Sequence, residues 1–172
     1  MTFLSGLVNN KKAWFLLALS ALALEFTALF FQLVLDLKPC IMCIYQRVAL
    51  WAIFFAGIIG SVSFKYLAGR IVAFALWGTG AIWGLLIALE HVEMQTSTFS
   101  FLYSCEFVPN FPSWAPLHEW LPLLFAATGD CGDIDWQWFG YSMPQMMIVV
   151  YGCYTALLTA VIAAQLFNKK MI

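Results

Sequence analysis

Charge is what this 172-residue sequence has least of: eight Lys and Arg and nine Asp and Glu make up 10% of it. Soluble domains carry about a quarter charged residues. A soluble fold of this size leaves much of its surface in water and needs polar side chains to cover it. That class is therefore excluded. A net charge of −1 without a basic cluster excludes nucleic-acid binding, which rests on grouped Lys and Arg. Histidine occurs twice, as His91 and His118, so no pair is placed to hold a haem inside a helix bundle. No glycine-rich nucleotide loop exists; Gly78 and Gly80 lie within an apolar run. Internal repeats and low-complexity linkers are also missing.

What is present is apolar: 63% of residues, with a mean hydropathy of +0.88. Such a chain has no reason to stay disordered. Four stretches reach the roughly 20 apolar residues that a spanning helix needs: 14–35, 44–64, 71–89 and 143–167. Each must be helical, because lipid offers no partner for an open backbone group. The fold class expected is an all-α membrane protein, one integral domain over 1–172 built on a four-helix bundle. Lys11 and Lys12 followed by Ala21-Leu22-Ala23 resemble a cleaved leader, but the apolar run continues to Leu35, which reads as a retained span. Lys11, Lys12, Lys65, Arg70, Lys169 and Lys170 all fall on one face of a four-span topology. By the positive-inside rule that face is cytoplasmic, with both termini inside. Segments 36–43 and 90–142 then face outward as loops. Within the longer one, Trp114, Leu117, Trp120, Leu121, Leu124 and Phe125 recur at helical spacing, interrupted by Pro116 and Pro122. Residues 113–127 read as a short helical segment lying at the outer interface, or as a loop packed on the end of the bundle.

Four of the five cysteines, Cys40, Cys43, Cys105 and Cys131, are on the outer side, where disulfides persist. They allow three pairings; Cys40–Cys43 with Cys105–Cys131 is preferred. A C-x-x-C bridge closes too small a ring to stabilise much, which points to reactivity. Its place at the start of a helix favours the thiolate, the attacking form. Inert staples are the plainer alternative. A zinc ribbon is disfavoured because the second C-x-x-C is missing, and no resident metal is expected. Cys153, within the last helix, reads as a small buried apolar residue. A membrane dithiol needs an electron acceptor, and a lipid-soluble quinone suits a site at the rim of a bundle. Arg47, one turn past Cys43, could stabilise a thiolate or a reduced quinone oxygen, or could snorkel to the interface. His91, at the outer end of the third helix, could donate to a quinone carbonyl or move protons, although an exposed loop histidine is the commoner case. Glu25, alone in mid-helix where a charge is costly, reads as protonated or as facing a partner inside the bundle, in a structural or supporting role.

Taken in order, Ala23-Leu24-Glu25-Phe26-Thr27-Ala28-Leu29, Leu37-Lys38-Pro39-Cys40-Ile41-Met42-Cys43-Ile44-Tyr45-Gln46-Arg47, Glu90-His91, Cys105-Glu106-Phe107, Phe111-Pro112-Ser113-Trp114, Gly129-Asp130-Cys131 and Met143-Pro144-Gln145 resemble the DsbB family of bacterial inner-membrane proteins. The resemblance implies a quinone-dependent thiol oxidase working beside the periplasm, a compartment kept oxidising by DsbA, DsbB and quinone. It implies that a DsbA-like thiol oxidase attacks a Cys105–Cys131 bridge, that electrons pass to Cys40–Cys43, and that Cys43 reduces ubiquinone, or menaquinone when oxygen is scarce. Arg47 and His91 would lie at the quinone site. A related oxidase with a dedicated partner, and a membrane scaffold whose loop is only stapled, are the alternatives. Vitamin K epoxide reductases share the logic, but their C-x-x-C is expected late in the chain.

Overall fold

A computed structural model describes residues 6–96 and 109–167. Four long helices form it: α1 (Lys11–Leu33), α2 (Ile41–Ser63), α3 (Leu67–Thr96) and, after the loop segment, α6 (Met143–Phe167). All four are long and apolar enough to cross a membrane. Between α3 and α6 lie two one-turn helices, α4 (Leu117–Trp120) and α5 (Pro122–Phe125), and a two-stranded hairpin, β1 (Gln137–Trp138) and β2 (Tyr141–Ser142).

Helix starts are fixed by local chemistry. Asn10 caps α1 by accepting the Lys12 N–H at 2.9 Å. Cys40 holds the equivalent place on α2, its Sγ accepting the Cys43 N–H at 3.4 Å. Helix α2 is the hub, packed against both α1 and α3, while α6 packs on α3. Close approach relies on small residues, as expected where lipid offers no hydrophobic drive between helices. Ala49, Ala56 and Gly60 are buried on α2, and a Cβ at Gly57 would run into the Ala18 backbone. The core runs through Trp14, Leu17, Ala21, Leu50, Ile53, Ala81, Tyr151 and Leu158. Phe15, Phe26, Phe55, Leu86 and Val149 point outward from the bundle. An outward apolar surface is what a bilayer accepts in place of water.

Arg70 donates to Asn9 Oδ1 at 3.1 Å and Trp14 stacks edge-on against Phe74. The starts of α1 and α3 therefore share one end of the bundle. The opposite end gathers Cys40, the last turns of α3, the loop segment and the start of α6.

Four sequence expectations change. The span placed at 71–89 is a helix over Leu67–Thr96. Hydropathy fades at Glu90, but helical hydrogen bonding continues into the polar turns, so His91 is a helical residue rather than a loop residue and is buried. The starts placed at 14 and 44 move three residues back: α1 takes in Lys11 and Lys12, which a hydropathy window omits, and α2 begins directly after its Cys40 cap, so that Cys43 is helical. Cys153 is exposed on the outside of the bundle, not buried in it. The 113–127 segment forms two single turns, since Pro122 lacks an N–H and Leu121 leaves helical geometry. Phe125 anchors it to the bundle end, leaving Trp114 and Trp120 exposed.

Candidate active site

Pro39 is followed by Cys40, which caps α2 from extended backbone, so Cys40 and Cys43 occupy one turn at a helix N-terminus. Their sulfurs are 3.1 Å apart, with Cys40 donating its S–H toward Cys43. That exceeds the bond length of a disulfide, about 2.05 Å. Cys40 is buried and Cys43 half-buried. The Cys40 thiol is pushed above the usual thiol range, first by its hydrogen bond with Cys131, then by Cys43 and by burial. A proton held on Cys40 leaves Cys43 as the partner better placed to carry charge.

Helix α3 delivers His91 to the same spot. Its Nε2 is 3.5 Å from Cys40 Sγ, and its Nδ1 lies 3.5 Å from the Gln46 amide nitrogen. Gln46 is in turn fixed at its backbone carbonyl, which accepts the Tyr151 hydroxyl of α6 at 2.6 Å. Side chains from the start of α2 thus meet the imidazole of α3, and α6 is bonded to α2 through Gln46. Arg47 is buried, donates to the Leu124 carbonyl at 2.9 Å, and interacts electrostatically with Cys43 and Glu25. Its guanidinium has five donors, so one carbonyl does not exhaust it. Glu25 is buried on α1 with neither carboxyl oxygen hydrogen-bonded among the described residues. The partner inside the bundle expected for it is the electrostatic one, Arg47.

Cys131 is completely buried and packs against Cys40 and Ile41. Backbone bonds hold it there: the N–H groups of Thr128 and Gly129 both donate to the Pro39 carbonyl, at 2.9 and 3.1 Å. A Cβ at position 129 would overlap the Lys38 carbonyl, so only glycine permits this approach. Cys105 lies outside the described residues.

A cavity of about 310 Å³ opens beside these groups. Cys43, Arg47, His91 and Gln95 reach it, and its walls are mostly apolar, including Phe31, Leu50, Met147 and Val150. Mostly apolar walls with a few convergent polar groups are the usual make-up of a small-molecule site. The structure thus brings together five of the six candidate residues: Cys40, Cys43, Arg47, His91 and Cys131. Gln46 and Gln95 were missed from sequence. Gln95 is one turn beyond His91 on the same face of α3, a signal available only once the helix is known to continue.

Comparison with known proteins gives one answer. The family model described as disulfide bond formation protein DsbB matches residues 10–161. A protein named disulfide bond formation protein B from Pseudoalteromonas atlantica is 51% identical over 172 residues, covering all of both chains. The protein of that name from Psychromonas ingrahamii is 49% identical, spanning this whole chain and 93% of the relative. That from Pseudoalteromonas translucida is 47% identical, spanning 99% of each. Matches of this extent and identity, on a four-helix bundle with a C-x-x-C at one end, establish that the chain belongs to the DsbB family of disulfide-forming membrane proteins.

Proposed function

We propose that the protein reoxidises a DsbA-like periplasmic thiol oxidase and passes the electrons to membrane quinone. The observation that carries this reading is the order of groups at one bundle end. Cys131 touches Cys40, Cys40 touches Cys43, and Cys43 faces an apolar cavity beside Arg47.

The partner's thiolate attacks a Cys105–Cys131 disulfide, forming a mixed disulfide that the partner's second thiol resolves. The partner leaves oxidised and the two loop thiols are reduced. The loop dithiol then reduces the Cys40–Cys43 disulfide by the same exchange, and contact between Cys131 and Cys40 positions the first sulfur-to-sulfur transfer. Each exchange moves two electrons and conserves thiols. A bound ubiquinone, or menaquinone when oxygen is scarce, supplies a two-electron, two-proton acceptor at which the Cys40–Cys43 dithiol is reoxidised. The cavity suits such a ring: its walls are apolar, and Arg47, His91 and Gln95 provide the few donors. Arg47 opposes negative charge on Cys43 and on a ligand oxygen. His91, set by Gln46, holds or moves a proton at Nε2, next to Cys40. The cysteine-bearing end faces the periplasm in this reading, since the basic residues favour the other face inside.

Membranes holding the full chain, given reduced DsbA-like protein and a soluble ubiquinone, are expected to consume two thiols per quinol formed. Cys43→Ser should abolish quinol formation. An unchanged rate in Cys43→Ser would overturn the mechanism and leave the loop cysteines as structural staples.

A further inference from the structure

We propose that the dithiol form of Cys40 and Cys43, with His91, chelates a thiophilic d10 cation such as Zn²⁺, and that the bound cation holds the pair out of disulfide formation. This rests on the reading of Cys40 and Cys43 as a pair that cycles between dithiol and disulfide.

Two sulfurs and one imidazole nitrogen lie within 4.8 Å of one another, with Cys40 Sγ 3.1 Å from Cys43 Sγ and 3.5 Å from His91 Nε2. Zinc bonds of about 2.3 Å to sulfur and 2.0–2.1 Å to nitrogen, arranged tetrahedrally, put two sulfur ligands about 3.8 Å apart and a sulfur and a nitrogen about 3.6 Å apart. The donors therefore stand near metal-binding separations before any ion arrives. Two thiolates and an imidazole suit Zn²⁺ and disfavour hard, oxygen-seeking cations. Three protein ligands leave a fourth position open.

The surroundings supply what such ligands need. A metal-bound histidine usually has its other nitrogen hydrogen-bonded. Here the Gln46 side chain lies against Nδ1, and the Cys131 backbone carbonyl interacts with the ring as a hydrogen-bond acceptor. An amide offers a donor or an acceptor according to its flip, so Gln46 can serve either tautomer. An access route is present too. Asp130, Asp133 and Asp135 line the same cavity as Cys40, Cys43 and His91. Lys38 and Arg47 line it too, but the three acids outnumber them, and a net negative lining favours entry of a cation.

Binding exchanges two S–H bonds for two S–Zn bonds. The two protons pass to solvent and no electron moves. A Cys40–Cys43 disulfide offers no thiolate, so the site exists only in the reduced protein. Metal would accordingly arrest turnover after the loop has delivered its electrons and before the acceptor removes them.

The test uses the full chain in lipid nanodiscs with Cys105→Ser, Cys131→Ser and Cys153→Ser, which leaves the C-x-x-C as its only thiols. After reduction by a phosphine, Zn²⁺ is titrated against a chromophoric chelator and its ligands are read by X-ray absorption. One Zn²⁺ per reduced chain is expected, with two sulfurs and an imidazole in its shell, and none on the oxidised chain. His91→Ala should weaken binding at least tenfold and lose the imidazole signal; His91→Cys should restore affinity with a third sulfur, showing that the fold tolerates change there. Equal affinity in His91→Ala, or binding that ignores the redox state, would overturn the site. Thiol oxidation is assayed in parallel on the unmutated protein. Normal quinol formation that Zn²⁺ does not slow refutes the metal site alone. Stoichiometric redox-dependent Zn²⁺ binding in a protein that forms no quinol refutes the quinone reading alone.

Discussion

Arg47 is a cation placed where a cation is expensive. It is buried, and removing a charge from water costs several kcal/mol unless partners repay it. The repayment comes from the Leu124 carbonyl, from Glu25 and from charge on Cys43. Only the last changes during turnover, which argues that the guanidinium is retained for the chemistry. A hydrogen bond to a charged group contributes about 1.5–3 kcal/mol. Arg47→His, with a shorter side chain that is largely neutral at pH 7, should therefore raise the apparent KM for a soluble ubiquinone about tenfold or more. The Cys105–Cys131 bridge, followed by thiol alkylation, should be unaffected. An unchanged KM would remove Arg47 from the quinone site. Cys153 is the matching control. It is exposed on the outer side of α6 and apart from the Cys40, Cys43 and Cys131 cluster, so Cys153→Ser should leave quinol formation within about twofold of the parent, a surface substitution being worth only about ±0.5 kcal/mol.

Among the elements, the segment carrying Cys131 is positioned by backbone rather than side chains. The Pro39 carbonyl receives two of its N–H groups, and Gly129 lies where any Cβ would meet Lys38. Gly129→Val should lift this segment off the C-x-x-C. Transfer between the two cysteine pairs, measured by rapid acid quench and alkylation, should slow at least tenfold. The four helices should melt as before, because the core of Trp14, Leu50, Ile53 and Tyr151 is remote from the change. Unslowed transfer would show that docking at Pro39 is not what joins the pairs. This docking could not be read from the sequence. A hydrogen bond between backbones ninety residues apart leaves no periodic trace, and a lone glycine has many explanations. The helices were legible for the opposite reason, since an apolar run of spanning length has few alternatives in lipid. Their ends were less so: Asn10 and Cys40 cap α1 and α2 outside the apolar windows, and α3 continues as a polar helix past Glu90. The site was legible where chemistry is written in residue type, as at Cys40, Cys43 and Arg47. It was illegible at Gln46 and Gln95, whose amides gain meaning only from what the fold sets beside them.

Taken whole, the molecule is electrically lopsided along its long axis. The starts of α1 and α3, joined through Arg70 and Asn9, carry Lys11, Lys12, Lys65 and Arg70 at one end. The other end carries Cys40, Cys43 and Cys131 and the acids Asp130, Asp133 and Asp135. Each basic residue near a span resists export across the membrane, so the sum over several short flanks sets the orientation more firmly than any single residue. That orientation decides whether the C-x-x-C can meet an oxidising compartment at all. Two exposed positions at opposite ends report it: Ser113 in the loop segment and Tyr66 in the turn between α2 and α3. With Cys153→Ser as background, Ser113→Cys should react with a membrane-impermeant maleimide in intact spheroplasts, and Tyr66→Cys should react only after lysis. Both substitutions lie outside the long helices, so assembly of the bundle is not at stake. The reverse pattern would place the cysteine pairs in the cytosol, where thiols are kept reduced, and the exchange with a periplasmic partner would be physically impossible.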